Sequence, residues 1–294
     1  MQDREPTIRS RELGEGLRTA MERAGLTGKQ VADQLGLSQS WISRLLAGKR
    51  KATAVQVAGF LDMCRVTGEE RDRLLELCED EHNLGWLQQR GAPLPQQLVT
   101  LIDHERKAVT ISAFQAQTVP DLLRTGDYAH ALLRRSSNTP EREVDGLVAA
   151  TLARQSLLSR ENPADFTYYV HESALRLPVG GAVVMSEQLQ QLLRMSLRPY
   201  LTLRVVPIAL GAHAAMAGSF TLLEFADFRP VVYLENEVSG LFLETPVEID
   251  AYQRILGALE KTALGAEESR ELIAALDTEL YPDREDPFTF GIDV

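Results

Sequence analysis

Residues 26–48 constrain this chain more than any other segment, because they hold two helical patterns that are each too short to be stable alone. In Leu26-Thr27-Gly28-Lys29-Gln30, Thr27 is an N-cap and Gln30 stands three residues on, the spacing of a capping box. That helix turns Val31, Ala32 and Leu35 inward and stops at Gly36. Ser38 then caps a second helix from Gln39 to about Leu46, with Ile42, Leu45 and Leu46 inward and Gln39, Ser40, Ser43 and Arg44 on the opposite face. Helices of about eight residues are marginal in water and must dock on neighbours. The neighbours are legible. Leu13, Leu17, Ala20, Met21 and Ala24 repeat at spacings of three and four over about Arg9 to Ala24, before Gly25. Gly14 and Gly16 inside that helix lower its propensity by about 1 kcal/mol each, which close helix packing would explain. Two more helices follow at about Thr53–Cys64, with Val55, Val57, Ala58, Leu61 and Met63 as its apolar set, and at about Glu69–Glu79, with Leu74, Leu75, Leu77 and Cys78. The sum is a five-helix domain.

The free face of the second short helix has the chemistry of a major-groove reader. Its residues are small or amide-bearing at the N-terminal end, so the helix can approach base edges closely. Gln pairs with adenine in bidentate fashion, Arg with guanine, and Ser with either. Lys49, Arg50 and Lys51 follow Gly48 in the next loop, where flexible cations contact phosphates and supply affinity without sequence information.

The run from Leu26 through Val31-Ala32, Gly36, Ser38-Gln39-Ser40 and Gly48-Lys49-Arg50 resembles helix-turn-helix domains of the xenobiotic-response-element type, which include phage repressors and Cro. That resemblance implies base-facing roles for Gln39, Ser40, Ser43 and Arg44, and backbone contacts for Thr27 and Gln39. Trp41 stands where the family usually has a smaller or hydroxyl-bearing residue, and either packs on sugar and phosphate or covers the core.

A formal charge of −11 looks wrong for such a role until it is divided along the chain. Residues 1–67 carry 11 Lys+Arg against 7 Asp+Glu, or +4, which leaves 20 against 35, or −15, for residues 68–294. Between Asp33 and Asp62 there is no acidic residue, while Arg44, Lys49, Arg50 and Lys51 fall in that window. A local positive face is therefore compatible with a globally acidic protein. Cys64 and Cys78 sit among Leu, Met and Val without the spacing or histidine partners of a zinc site, and read as buried free thiols. With no apolar run behind Met1-Gln2-Asp3-Arg4-Glu5 and no uncharged apolar stretch of about 18 residues, no membrane association is expected and the cytoplasm is the expected location.

The expected organisation is a helix-turn-helix domain at 1–80, a linker at 81–96 punctuated by Gly and Pro, a C-terminal domain at 97–281 and a tail at 282–294. After the linker, a helical pattern runs through Leu98, Leu101 and Ile102. Strands are predicted at Val109–Phe114, Phe166–Val170 and Thr202–Val206, with a hairpin formed by Ser219–Phe225 and Val231–Leu234. Helices are predicted at Asp121–Leu133, interrupted near Gly126, and at Glu141–Leu158, Ser186–Met195, Pro246–Lys261 and Ala266–Leu280. The fold class is thus α plus α/β: five helices, then a mixed α/β domain. Val119-Pro120-Asp121-Leu122-Leu123-Arg124-Thr125, His171-Glu172-Ser173-Ala174-Leu175-Arg176, Gly218-Ser219-Phe220-Thr221 and Val232-Tyr233-Leu234-Glu235 are similar to blocks of a C-terminal domain that accompanies this helix-turn-helix type in actinobacterial regulators. Asp121 replaces a usual glycine. The resemblance implies regulation of development or secondary metabolism, often with a small acidic partner protein in an antitoxin-like pair.

No enzyme constellation stands out. Gly14-Glu15-Gly16 lacks the third glycine and preceding strand of a dinucleotide fingerprint, and there is no phosphate-binding loop, nucleophile elbow or His-Glu-X-X-His helix. His171 and Glu172, as neighbours at a strand end, face opposite sides and cooperate poorly as acid and base. His130 and His213 are weaker candidates, while His82 and His104 read as surface or capping residues. The reading is a non-enzymatic regulator of double-stranded DNA, with no cofactor. It acts as a homodimeric repressor or activator on a near-palindromic operator, or else as a protein adaptor or ligand sensor with autoregulatory DNA binding.

Overall fold

The computed structural model describes residues 6–79, 86–89, 96–236 and 239–282. Most of the expected linker, nearly all of the tail and His82 lie outside them. The chain divides into two compact units: Met1–Leu87 with Asp227–Val231 and Leu241–Pro246, and Gln88–Ala226 with Val232–Gly240 and Val247–Val294.

The first unit contains α1 (Ile8–Arg23), α2 (Gly28–Leu35), α3 (Gln39–Leu46), α4 (Ala54–Met63) and α5 (Glu69–Glu79). Their apolar stripes meet in one core that includes Leu17, Val31, Ile42, Val57, Phe60 and Leu74. The two glycines of α1 have the reason that sequence suggests. A Cβ on Gly14 would lie 2.5 Å from the Leu46 carbonyl oxygen, and one on Gly16 would lie 2.4 Å from a Leu74 methyl, so α1 runs close to α3 and α5 only because both positions are bare. Glu12 and Arg73 join α1 to α5 at 2.8 Å. Cys64 and Cys78 are buried thiols, and the Cys78 Sγ donates to the Ala52 carbonyl. Val55 departs from expectation. It belongs to the apolar positions of α4 by residue type, yet it is 82% exposed, because the core stripe of this helix runs through Val57, Phe60 and Leu61.

The other elements are β1 (Trp86–Gln89), α6 (Gln96–Lys107), β2 (Thr110–Gln115), α7 (Gly126–Arg135), α8 (Glu141–Arg154), β3 (Asp165–His171), α9 (Glu172–Arg176), α10 (Ala182–Met195), β4 (Leu201–Val206), β5 (Phe220–Glu224), β6 (Val231–Glu235), β7 (Ser239–Leu243), α11 (Pro246–Thr262) and α12 (Ala266–Leu280). Among the described residues the strands form one sheet in the order β1-β7-β6-β5-β2-β3-β4. β2 pairs parallel with β3 and antiparallel with β5, and β3 pairs parallel with β4, so the sheet is mixed. The expected hairpin strands are sheet neighbours β5 and β6.

Three local differences have physical causes. Glu172 is not on a strand: His171 ends β3 and caps α9, its side chain accepting from the Ser173 amide, and Glu172 then pairs with Arg176 one helical turn on. His104 is buried, 4% exposed, with its Nδ1 2.7 Å from the Thr100 carbonyl and its ring edge-on to Phe225, so it is neither a surface nor a capping histidine. Strands β1 and β7 have no counterpart among the expected elements. Trp86–Gln89 lies within the expected linker, and Ser239–Leu243 is five residues that open on Ser-Gly, a pair with little strand propensity.

Candidate nucleic-acid interface

The geometry of α2 and α3 follows from their caps. The Thr27 hydroxyl accepts from the Gln30 amide at 3.3 Å, and the Gln30 side-chain oxygen accepts from the Thr27 amide and hydroxyl at 2.8 Å each, closing the capping box. Gly36 ends α2 in the left-handed region at φ 66°, and the Ser38 hydroxyl accepts from the Trp41 amide at 3.1 Å to open α3.

At 100° per residue, Gln39, Ser43, Ser40 and Arg44 occupy an arc of about 140° on α3, and Trp41, Leu45, Ile42 and Leu46 occupy the rest. Burial follows that division. Ile42 and Leu45 are 1% and 2% exposed, while Gln39, Ser40 and Ser43 are exposed and Arg44 half-buried. The Arg44 Nη2 donates to the Ser40 Oγ at 2.8 Å, one turn back along the same face, which holds the guanidinium beside the exposed hydroxyls. Trp41 is half-buried and packs one side against the core of the unit, which leaves part of its ring exposed beside the α3 face.

The loop after α3 is shaped by Gly48. Its φ is 71°, and a Cβ there would lie 3.1 Å from the backbone of Ser10 and Arg11 in α1, so the turn needs a residue without a side chain on both counts. The Gly48 amide donates to the Leu45 carbonyl and the Lys49 amide to the Arg44 carbonyl, which closes the end of α3. Lys49 and Arg50 are half-buried and Lys51 is exposed. The nine sequence candidates therefore fall into three groups. Gln39, Ser40, Ser43 and Arg44 share one face, Lys49, Arg50 and Lys51 follow it in the loop, and Thr27 and Trp41 have local structural roles.

One residue that sequence reasoning passes over belongs to the same neighbourhood. Arg18 of α1 donates from Nη2 to the Leu46 carbonyl at 3.0 Å, supplying a cationic partner to the C-terminal end of α3. A contact across 28 positions has no local sequence signal.

In the second unit the structure brings together two histidines that the sequence keeps apart. The rings of His171 and His213 stack at 5.4 Å, and burial together with the neighbouring His171 lowers the His213 pKa. His171 Nδ1 also lies 2.6 Å from the Ser173 Oγ, and Glu172 accepts from the Ile208 amide and from Arg176. Burial would raise the Glu172 pKa, but those hydrogen bonds and the Arg176 charge lower it. His130 lies 3.6 Å from Asp145.

Comparison with known proteins gives two family matches. A family model described as a helix-turn-helix domain matches residues 12–74, which span α1 to α5 up to Leu74. A second, described as a domain of unknown function, DUF5753, matches residues 98–275. No curated protein matches the chain. Among the described residues, no helix is long and apolar enough to cross a membrane.

Proposed function

Because the chain belongs to the DUF5753 family and joins that domain to a helix-turn-helix domain, we propose that it is a sequence-specific transcriptional regulator that reads duplex DNA with α3. The helix-turn-helix domain supports DNA binding as the coarse function. The finer reading rests on the exposed arc of Gln39, Ser40, Ser43 and Arg44, which presents hydrogen-bonding groups opposite a fully packed core stripe. In this reading Arg44 and Gln39 contact base edges, the hydroxyls of Ser40 and Ser43 add contacts, and Lys49, Arg50 and Lys51 hold phosphates. Thr27, through its backbone at the start of α2, and Trp41, at the rim of the core, shape the approach.

The protein acts as a homodimer of the xenobiotic-response-element type in the cytoplasm, with two copies of α3 entering successive major grooves. Resemblance of the C-terminal blocks to regulators controlled by a small acidic protein supports partner control through the second domain. A regulatory rather than catalytic role for that domain is favoured because His171 and Glu172 are engaged with Ser173, Arg176 and Ile208. The test is fluorescence anisotropy of a mixed-sequence duplex across a salt series. Binding at low salt that weakens steeply as salt rises supports the reading, and no binding at low salt refutes it.

A further inference from the structure

One face of the sheet in the second unit is unusual for a surface covered by helices. β2 turns Ile111, Ala113 and Gln115 to it, and β3 sets Tyr168 directly beside Ala113, which pairs with Thr221 of β5 on its other side. Of these, Ala113, Gln115 and Thr221 are small or polar at positions where large aliphatic residues would fill the space. The result is a cavity of about 710 Å³, within the range of ligand pockets, roofed by residues of α6, α7 and α8 such as Leu101, Leu132 and Leu147. At its edge lies a buried charge cluster. Arg154, 6% exposed, donates from Nε and Nη2 to Glu105 at 3.1 and 2.7 Å, and from Nη1 to Asp121 at 3.3 Å.

Two observations identify what the cavity takes. Tyr168 is 3% exposed and lines it, and its hydroxyl makes no hydrogen bond among the described residues. With no protein partner among those residues, that hydroxyl is open only to whatever occupies the cavity, and a ligand group that bonds it takes the place of cavity water. Burial first, then the neighbouring Glu105 carboxylate, raises its pKa, so it stays a neutral donor. Gln115 and Thr221 also line the cavity with side chains that make no hydrogen bond among the described residues. The second observation is charge. Glu105, Asp121 and Glu235 face Arg124 and Arg154, and both guanidiniums are committed: Arg124 donates to the Val119 carbonyl and to Thr118 and pairs with Asp121 at 2.7 Å. No fork is left to grip a carboxylate or phosphate.

We propose that this cavity is a binding site for a small, uncharged or cationic organic molecule with an apolar body and at least one hydrogen-bonding group that meets the Tyr168 hydroxyl. The site goes beyond the DNA-binding reading and stands or falls separately from it, since ligand binding is measured without DNA.

Tyramine, para-ethylphenol and phloretate share a phenol body and differ in carrying a cation, no charge or a carboxylate. Saturation-transfer NMR on the full chain should show para-ethylphenol and tyramine binding with dissociation constants on the order of 1 mM, and phloretate at least about tenfold weaker. Ala113→Leu, which fills the floor, should abolish the transfer, and Tyr168→Phe should weaken it about fivefold without changing the thermal midpoint greatly. The proposal is overturned if none of the three probes binds, if phloretate binds as well as para-ethylphenol, or if Ala113→Leu leaves binding intact. Should Ala113→Leu not fold, an unchanged affinity in Tyr168→Phe overturns it alone.

Discussion

In the proposed reading Arg44 carries the specificity, because it combines the bidentate donor geometry suited to guanine with a side chain steadied by Ser40 at 2.8 Å. Arg44→Ala should weaken binding to a preferred site by roughly 1–3 kcal/mol and relax the preference at one base position, as read by competition against single-base variants of the site. Ser40→Ala should show a smaller loss of the same kind, since it removes the hydroxyl that orients the guanidinium. Thr27 belongs to a different class. Its hydroxyl and amide are both occupied by Gln30, so Thr27→Ala should destabilise the first domain by about 1 kcal/mol in urea unfolding. The caps are legible in the sequence because they depend on residues three apart. Arg18, Gly48 and His104 are not, since what they meet is set by tertiary approach: the Leu46 carbonyl, the backbone of Ser10 and the ring of Phe225.

At the scale of elements, the proposed reading gives selectivity to α3 and adhesion to the loop after it. Alanine at Lys49, Arg50 and Lys51 together should lower the slope of log K against log salt by about 1 for each phosphate no longer neutralised, while leaving the order of preferred sites unchanged. In the second domain, the element that joins α6 to α8 is the Arg154–Glu105 pair, both side chains 4% exposed. Arg154→Met should cost about 3–5 kcal/mol, because it strands the Glu105 carboxylate in a buried place. Asp121 sets a pH dependence. Burial pushes its pKa up, but the charges of Arg124 and Arg154 more than offset this, and the net shift is downward. A folded pKa below the unfolded value of about 3.9 means that its stabilisation is fully present above that pH and is lost as pH falls through the folded value. Protection factors at β2 and β3, corrected for the intrinsic exchange rate at each pH, should therefore fall in acid, and Asp121→Asn should flatten that part of the profile. Most elements here are legible from periodicity alone. The start of α10 is not: Gly180 and Gly181 hold left-handed φ of 74° and 92°, and Ala182 begins the helix four residues before Ser186, where Val183, 42% exposed, blurs the apolar stripe.

For the whole molecule, charge is partitioned along the chain: the residues proposed to meet DNA belong to its basic stretch, and the acidic remainder carries the DUF5753 domain. The division into five helices and a mixed α/β domain is legible because the two halves carry different periods, 3.6 in one and alternating 3.6 and 2 in the other. The sheet order is not, because the long-range pairing of β2 between β3 and β5 leaves no mark in either strand alone. Nor is the cavity legible. Ala113 and Gln115 read as an ordinary strand until Tyr168 and Thr221 stand beside Ala113. The central claim is that the exposed arc of α3 reads base edges, and selection of duplexes from a random library tests it most directly. The full chain should enrich one short motif, and Arg44→Ala should enrich the same motif with one guanine preference lost. Enrichment of no motif, or an unaltered motif with Arg44→Ala, would contradict the account.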